Sequence, residues 1–168
     1  MTVRTLRARV PRSTGELLEG LATFEHGGEA LSVRASGGLS TWRLRFRDSF
    51  VRWTQRTDVR ADRTGIAFEQ VEGDLIDLKG EWVLTPAPAG CEVRYTVDYR
   101  TSVAHLAGAI DPVVGRVFLR AATTVLTVLA PPVELLEGER WLHDLPPELA
   151  HRQPAAIWRS VPTDGTRC

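Results

Sequence analysis

Polar side chains set among apolar strand positions are where this chain could do chemistry. Tyr95 and Tyr99 alternate with Val93 and Val97, Gln70 follows Phe68 at the same spacing, and Gln55 stands two residues beyond Trp53. A buried phenol needs a hydrogen-bond partner, and a ligand carbonyl can be that partner. A buried amide left unpaired costs about 1–3 kcal/mol, so Gln55 and Gln70 are either satisfied in a structural network or face a cavity as orienting donors. The strand parity of Gln70 is the clearer of the two. Trp42, Trp53, Phe68 and Trp82 fall on the same faces, and each reads equally as core packing or as the wall of a ligand site.

Other chemistries have less behind them. Among the histidines, His105 precedes a long helix near one mouth of such a cavity and is a candidate ligand contact. His26 lies at a helix end, and His143 and His151 lie in a tail rich in Pro, Arg and small residues. No His-x-x-x-His, paired cysteine or acidic triad argues for a metal, and no GxGxxG or P-loop argues for a nucleotide. No cofactor is expected.

The elements that would position these residues follow from periodicity. Apolar and polar residues alternate from 68 to 99 with Gly or Pro punctuation, which is the pattern of antiparallel strands with one buried face. Leu78, Trp82 and Leu84 share one face of a strand. Val93, Tyr95, Val97 and Tyr99 share one face of the next. A first strand is predicted over 3–10, and further strands over 31–35, 39–47, 50–59, 66–71, 75–84 and 91–99. Ser13 and Glu16 form a capping box for a short helix carrying Leu17, Leu18, Leu21 and Phe24, ended by Gly27-Gly28. A second helical turn is expected over 29–31. Asp111 as N-cap and Pro112 at the first helical position open a long helix. Val113, Val114, Val117, Phe118, Ala121, Val125, Val128 and Leu129 give it an apolar stripe, and Pro131-Pro132 stops it. One more short helix is expected over 134–142. A strongly curved antiparallel sheet wrapped round the long helix would bury that stripe. Where the filling side chains run short, the space between becomes a cavity with an aromatic, nearly uncharged lining suited to an apolar ligand.

Composition bounds the reading. A chain of 168 residues suits one domain over 1–142, with a loosely ordered tail over 143–168. Basic and acidic residues number 21 each, so no overall basic field draws nucleic acid or an anionic membrane. Lys79 is the only lysine, an arginine bias that points to GC-rich coding. Cys91 and Cys168 lack metal-ligand spacing and form no disulfide framework, which fits a reducing cytoplasm. The N-terminus has no apolar run of signal-peptide length. The longest apolar stretch, 113–133, is interrupted by Gly115, Arg116, Arg120 and threonines, and no membrane span is expected. Arg43, Arg45, Arg47, Arg52 and Arg56 form outward rows that serve either solubility or the docking of an acidic carrier protein.

The residues themselves resemble the START-related superfamily of polyketide cyclases, dehydrases and lipid-transport proteins, also called SRPBCC. The resemblance runs through Phe68-x-Gln70-x-x-Gly73, Gly80-x-Trp82-x-Leu84-x-Pro86 and Gly90-x-x-Val93-x-Tyr95-x-Val97-x-Tyr99. It continues in Leu106-Ala107-Gly108-Ala109-Ile110-Asp111-Pro112 and covers roughly residues 1–130. It implies an α+β helix-grip fold, a curved antiparallel sheet wrapped around a long C-terminal helix. It also implies a polyketide cyclase or aromatase-like protein of natural-product biosynthesis, binding a hydrophobic small molecule or a carrier-protein-tethered polyketide. Gln70 and Tyr95 would then polarise carbonyls, with Trp42, Trp53, Gln55, Phe68, Trp82, Tyr99 and His105 touching the ligand. The alternatives are a non-catalytic carrier of a lipid, quinone or other hydrophobic ligand, and a stress-type or regulatory interaction protein that leaves its cavity unused. Where many relatives carry a Trp-Pro or Tyr-Pro-x-Trp segment, this chain reads Phe24-Glu25-His26-Gly27-Gly28-Glu29, so its cavity entrance is expected to differ.

Overall fold

The structure, a computed structural model, describes residues 2–46, 48–101 and 107–138. Strand β1 (Thr2–Val10) leads into helix α1 (Thr14–Ala22). Then come β2 (His26–Gly27), β3 (Leu31–Ser36), β4 (Leu39–Phe46), β5 (Ser49–Val59), β6 (Gly65–Gly73), β7 (Asp77–Ala87) and β8 (Gly90–Arg100). Helix α2 (Ala107–Leu129) and β9 (Glu134–Glu137) follow. The described strands form one nine-stranded antiparallel sheet in the order β2-β3-β4-β5-β6-β7-β8-β1-β9. This is the expected α+β helix-grip architecture.

Alternation sets the two faces. In β8, Cys91, Val93, Tyr95, Val97 and Tyr99 are buried while the residues between them turn outward. The same parity buries Leu78, Trp82 and Leu84 in β7, and Leu6, Ala8 and Val10 in β1. Register brings aromatic pairs together: Trp42 lies opposite Trp53, and Trp82 opposite Tyr95. A side chain at Gly80 would collide with the Phe68 ring, its Cβ falling 2.4 Å from Cζ, so this glycine makes room for a ring on the inner face.

Helix α2 crosses that inner face and buries Val114, Phe118, Leu119, Ala122, Val125 and Leu126. It is the one described helix long and apolar enough to cross a membrane, and 67% of its stretch from Pro112 to Leu129 is buried inside the protein.

Several local expectations need correction. Helix α1 has its Ser13 cap, with Ser13 Oγ accepting from Glu16 N at 3.2 Å, but it ends at Ala22 rather than at Gly27-Gly28. Thr23 donates from both its N–H and its hydroxyl to Glu19 O, which closes the helix. Phe24 then turns inward onto Trp42, and His26–Gly27 pair with β3, leaving no helical turn over 29–31. Helix α2 begins at Ala107, so Pro112 stands in its second turn, where it forfeits one intrahelical bond instead of none. Val128 is 48% exposed because the last turn packs on α1 through Leu129, against Gly20, and that rotation carries Val128 outward. The segment starting at Glu134 is a strand, β9, which pairs with the otherwise open edge of β1. Residues 139–142 of the expected helix, and the tail over 143–168, lie outside the described residues.

Candidate functional site

A cleft of about 350 Å³ opens between the concave sheet face and the helices. Its mouth lies between the end of α1, with Phe24 and Glu25, and the β3–β4 hairpin at Gly37-Gly38. Its walls are Trp42, Phe68 and Trp82 with Ile66 and Val125. Deeper in, a pocket of about 20 Å³ is bounded by Trp53, Gln55, Tyr95 and the α2 residues Phe118, Ala121, Ala122 and Val125. Two alanines where the helix faces the rings are what leave this space unfilled. Trp42, Gln55, Phe68, Trp82 and Val125 border both compartments.

The rings form two groups. Phe24, Trp42 and Trp53 stack in sequence with centroids 6.0 and 5.6 Å apart, and Trp53 meets Phe118 edge-on at 5.4 Å. Phe68 stacks on Tyr95 at 5.9 Å, and Trp82 leans on Tyr95 at 4.6 Å. Such contacts fix ring planes as well as burying area. Indole N–H groups are tied down: Trp42 Nε1 donates to Ser40 Oγ and Trp53 Nε1 to Gln55 Oε1, each at 2.8 Å.

The structure brings together Trp42, Trp53, Gln55, Phe68, Trp82 and Tyr95 from the predicted set. Gln70 is not among them. The β5–β6 register shifts between Thr54 and Gln55, pairing Gln55 with Gln70 and Thr54 with Glu72, so Val71 bulges out and is half exposed. Gln70 instead donates from Nε2 to Leu75 O at 2.9 Å and holds the β6–β7 turn. Gln55, whose parity was the less clear, is the amide on the cleft wall. Tyr99 is fully buried against Phe118 and beside Gly115, away from both compartments. His105 lies outside the described residues.

Sequence reasoning missed Glu25. Among the described residues it is the one carboxylate on the cleft wall. Its Oε1 accepts from Ala35 N at 3.0 Å, so the carboxylate ties the segment after α1 to β3 across the mouth. The only signal was its place in the segment that departs from the family pattern. Burial, with the neighbouring Tyr99 adding to it, pushes the Tyr95 phenol well above its ordinary value, so it remains a neutral donor. Among the described residues no group of three or more His, Cys, Asp or Glu could hold a metal ion.

The sequence model of the family described as polyketide cyclase/dehydrase and lipid transport matches residues 8–125. The chain belongs to that family. Solved structures agree on the fold. The protein TTHA0849 from Thermus thermophilus superposes with a TM-score of 0.62 at 22% identity, over 76% of this chain and 94% of that one. Norcoclaurine synthase from Thalictrum flavum does so with a TM-score of 0.52 at 13% identity, over 74% and 83%. A START superfamily protein from Mycobacterium smegmatis gives 0.50 at 11%, over 70% and 92%. No curated protein matches the chain by sequence. At such identities the structural likeness speaks for the family's fold, and the chemistry has to be read from the cleft.

Proposed function

We propose that this family member is a cyclase or aromatase-like protein of natural-product biosynthesis that folds an apolar poly-carbonyl chain in the cleft. The observation that carries this reading is an aromatic cleft interrupted by two neutral donors, Gln55 and Tyr95, on its inner wall. Ring closure removes a proton from a carbon between two carbonyls, and the resulting enolate carbon attacks a third carbonyl. Aromatisation then loses water. Rings on both sides restrict the conformations of the chain, and donors stabilise the oxyanion as it forms. Glu25 at the mouth is the carboxylate placed to take the proton. The reading needs no cofactor, and it has the protein working in the cytoplasm on a chain tethered to a carrier protein.

A second reading, a non-catalytic carrier of a quinone, lipid or similar molecule, has one observation in its favour. Glu25 stands at the mouth, and the inner wall carries no acid or histidine among the described residues.

Incubation with a carrier-tethered poly-ketone separates the two. A cyclase changes the product spectrum relative to spontaneous closure. Glu25→Gln and Tyr95→Phe then each lower the rate at saturating substrate, by about 10²–10³ for loss of an oxyanion donor, while binding persists. A product spectrum identical to the spontaneous one leaves the carrier reading.

A further inference from the structure

Helix α2 is buried on two opposite sides. Phe118 marks its inner side by packing on Trp53 and Tyr99, and β1, β4 and β8 pack on the helix. At about 100° per residue, Arg120 points about 200° away from Phe118, and Val113, Arg116 and Thr127 lie within about 40° of Arg120. This stripe faces away from the sheet. Val113, Arg120 and Thr127 are nevertheless only 7%, 2% and 6% exposed. Val128, about 80° round from Arg120, is open to solvent, so the cover is a narrow band and not a second layer. Burial holds the pKa of Arg120 down at about 9, and the neighbouring Arg116 charge adds to this.

Reach decides what can cover the stripe, which runs about 21 Å from Val113 to Thr127. Helix α1 packs on the last turn, through Gly20 against Leu129. Residues 102–106 are tethered at Thr101 and Ala107. Thr127 lies about 30 Å along the helix from Ala107, beyond their span of about 20 Å. The chain after β9 is better placed. Gly138, at φ +94, turns off the sheet edge on the inner side, where a Cβ would fall 3.0 Å from Leu6 Cδ1. Leu6 belongs to β1, which packs on α2. The chain then reads Glu139-Arg140-Trp141-Leu142-His143-Asp144-Leu145-Pro146-Pro147-Glu148-Leu149, which extended spans up to about 36 Å. Its large apolar side chains suit Val113 and the hydrocarbon stems of the arginines. Its carboxylates suit the two guanidiniums, since a buried charge is tolerated beside an opposite one.

We infer that residues 139–149 form a strap across the outward face of α2, with apolar side chains over the Val113–Thr127 stripe and carboxylates toward Arg116 and Arg120. The strap holds down from behind the helix that brings Phe118, Ala121, Ala122 and Val125 to the cleft. It lies outside the match to the family model, which ends at residue 125, and it bears on an enzyme and a carrier alike.

The test is NMR on the full chain with a nitroxide on α2. Val128→Cys in a Cys168→Ser background leaves one accessible thiol, because Cys91 is buried. That label is expected to broaden the amide signals of 139–149 beyond detection. A label at Arg94→Cys, on the outer sheet face, is expected to leave them sharp. Sharp signals with both labels, or broadening with both, overturn the strap. Labelled chain mixed with isotope-enriched unlabelled chain should give no broadening; broadening there assigns the cover to a second copy and overturns the intramolecular strap. Trp141→Ser with Leu145→Ser is expected to release the segment and speed hydrogen exchange at residues 113–127 at least about tenfold, with β8 unchanged. A released segment with unchanged exchange in α2 overturns the strap's hold on the helix.

Discussion

Tyr95 gathers most of the site's physical argument into one side chain. It is wedged between Phe68 and Trp82, and burial disfavours its phenolate. The unfolded chain ionises its phenol near the ordinary value of 10.0, while the folded protein holds the proton well beyond it. Tyr95 therefore contributes stability that is complete below pH 10 and is lost as pH rises above it. The chain has two tyrosines, so Tyr99→Phe leaves Tyr95 as sole reporter. In that variant, tyrosinate absorbance should not grow as pH passes about 10 and should emerge only with loss of the folded circular dichroism signal. Reversible ionisation near that pH with the fold intact would mean that the phenol is hydrated, and the inner pocket would lose its low-dielectric character.

Among the elements, β6 and β7 decide the shape of the cleft through a glycine. Gly80 lies on the inward parity of β7 between Leu78 and Trp82, and the Phe68 ring occupies the space its missing side chain leaves. A Cβ there would also fall 2.2 Å from Thr96 O, so both ring and backbone must move. Gly80→Ala should destabilise the protein by about 1–3 kcal/mol, the usual cost of overpacking, measured as a shift in urea midpoint at constant slope. Phe68 and Tyr95 stack, so the same variant should also weaken binding of an apolar fluorescent probe. An unchanged midpoint and unchanged probe affinity would show that Phe68 has alternative room and does not define the wall. Gln70 belongs to this scale as well. It stands opposite Gln55 on the same face, as its alternation with Phe68 implies, but its amide is held by Leu75 O in the β6–β7 turn and does not line the cleft.

At the scale of the molecule, the sheet presents two faces with separate tasks. The inner face holds the cleft. On the outer face, Arg43 stands directly opposite Arg52, and their guanidinium carbons lie 4.6 and 5.4 Å from the centre of the Phe50 ring. Like charges opposite each other across antiparallel strands are unfavourable, and an acidic partner relieves that repulsion. Under the proposed function this partner is the carrier protein bringing the tethered chain. Arg43→Glu combined with Arg52→Glu should raise KM for a carrier-tethered substrate about tenfold or more at low salt, with little effect on a free analogue. High salt should shrink the difference, because exposed charges are screened. Equal losses on tethered and free substrates would place the arginines in the fold's stability and not in docking.

The seven longer strands, β1 and β3 to β8, with their buried faces and the family, were legible in the chain alone. Period-two alternation is a local property, and burying the wrong face would expose Trp53 in β5, Trp82 in β7 or Tyr95 in β8. The Ser13 cap was legible for the same reason, since it involves residues close together in the chain. Tertiary structure decided what depends on contacts distant in sequence. The bulge at Val71 comes from pairing two strands. The early end of α1 comes with Phe24 meeting Trp42, and the strand at Glu134–Glu137 comes from an open edge on β1. The size of the cleft was equally hidden. It is set by where Ala121 and Ala122 of α2 fall over rings carried by β4, β5, β6, β7 and β8, and no window of sequence contains that distance.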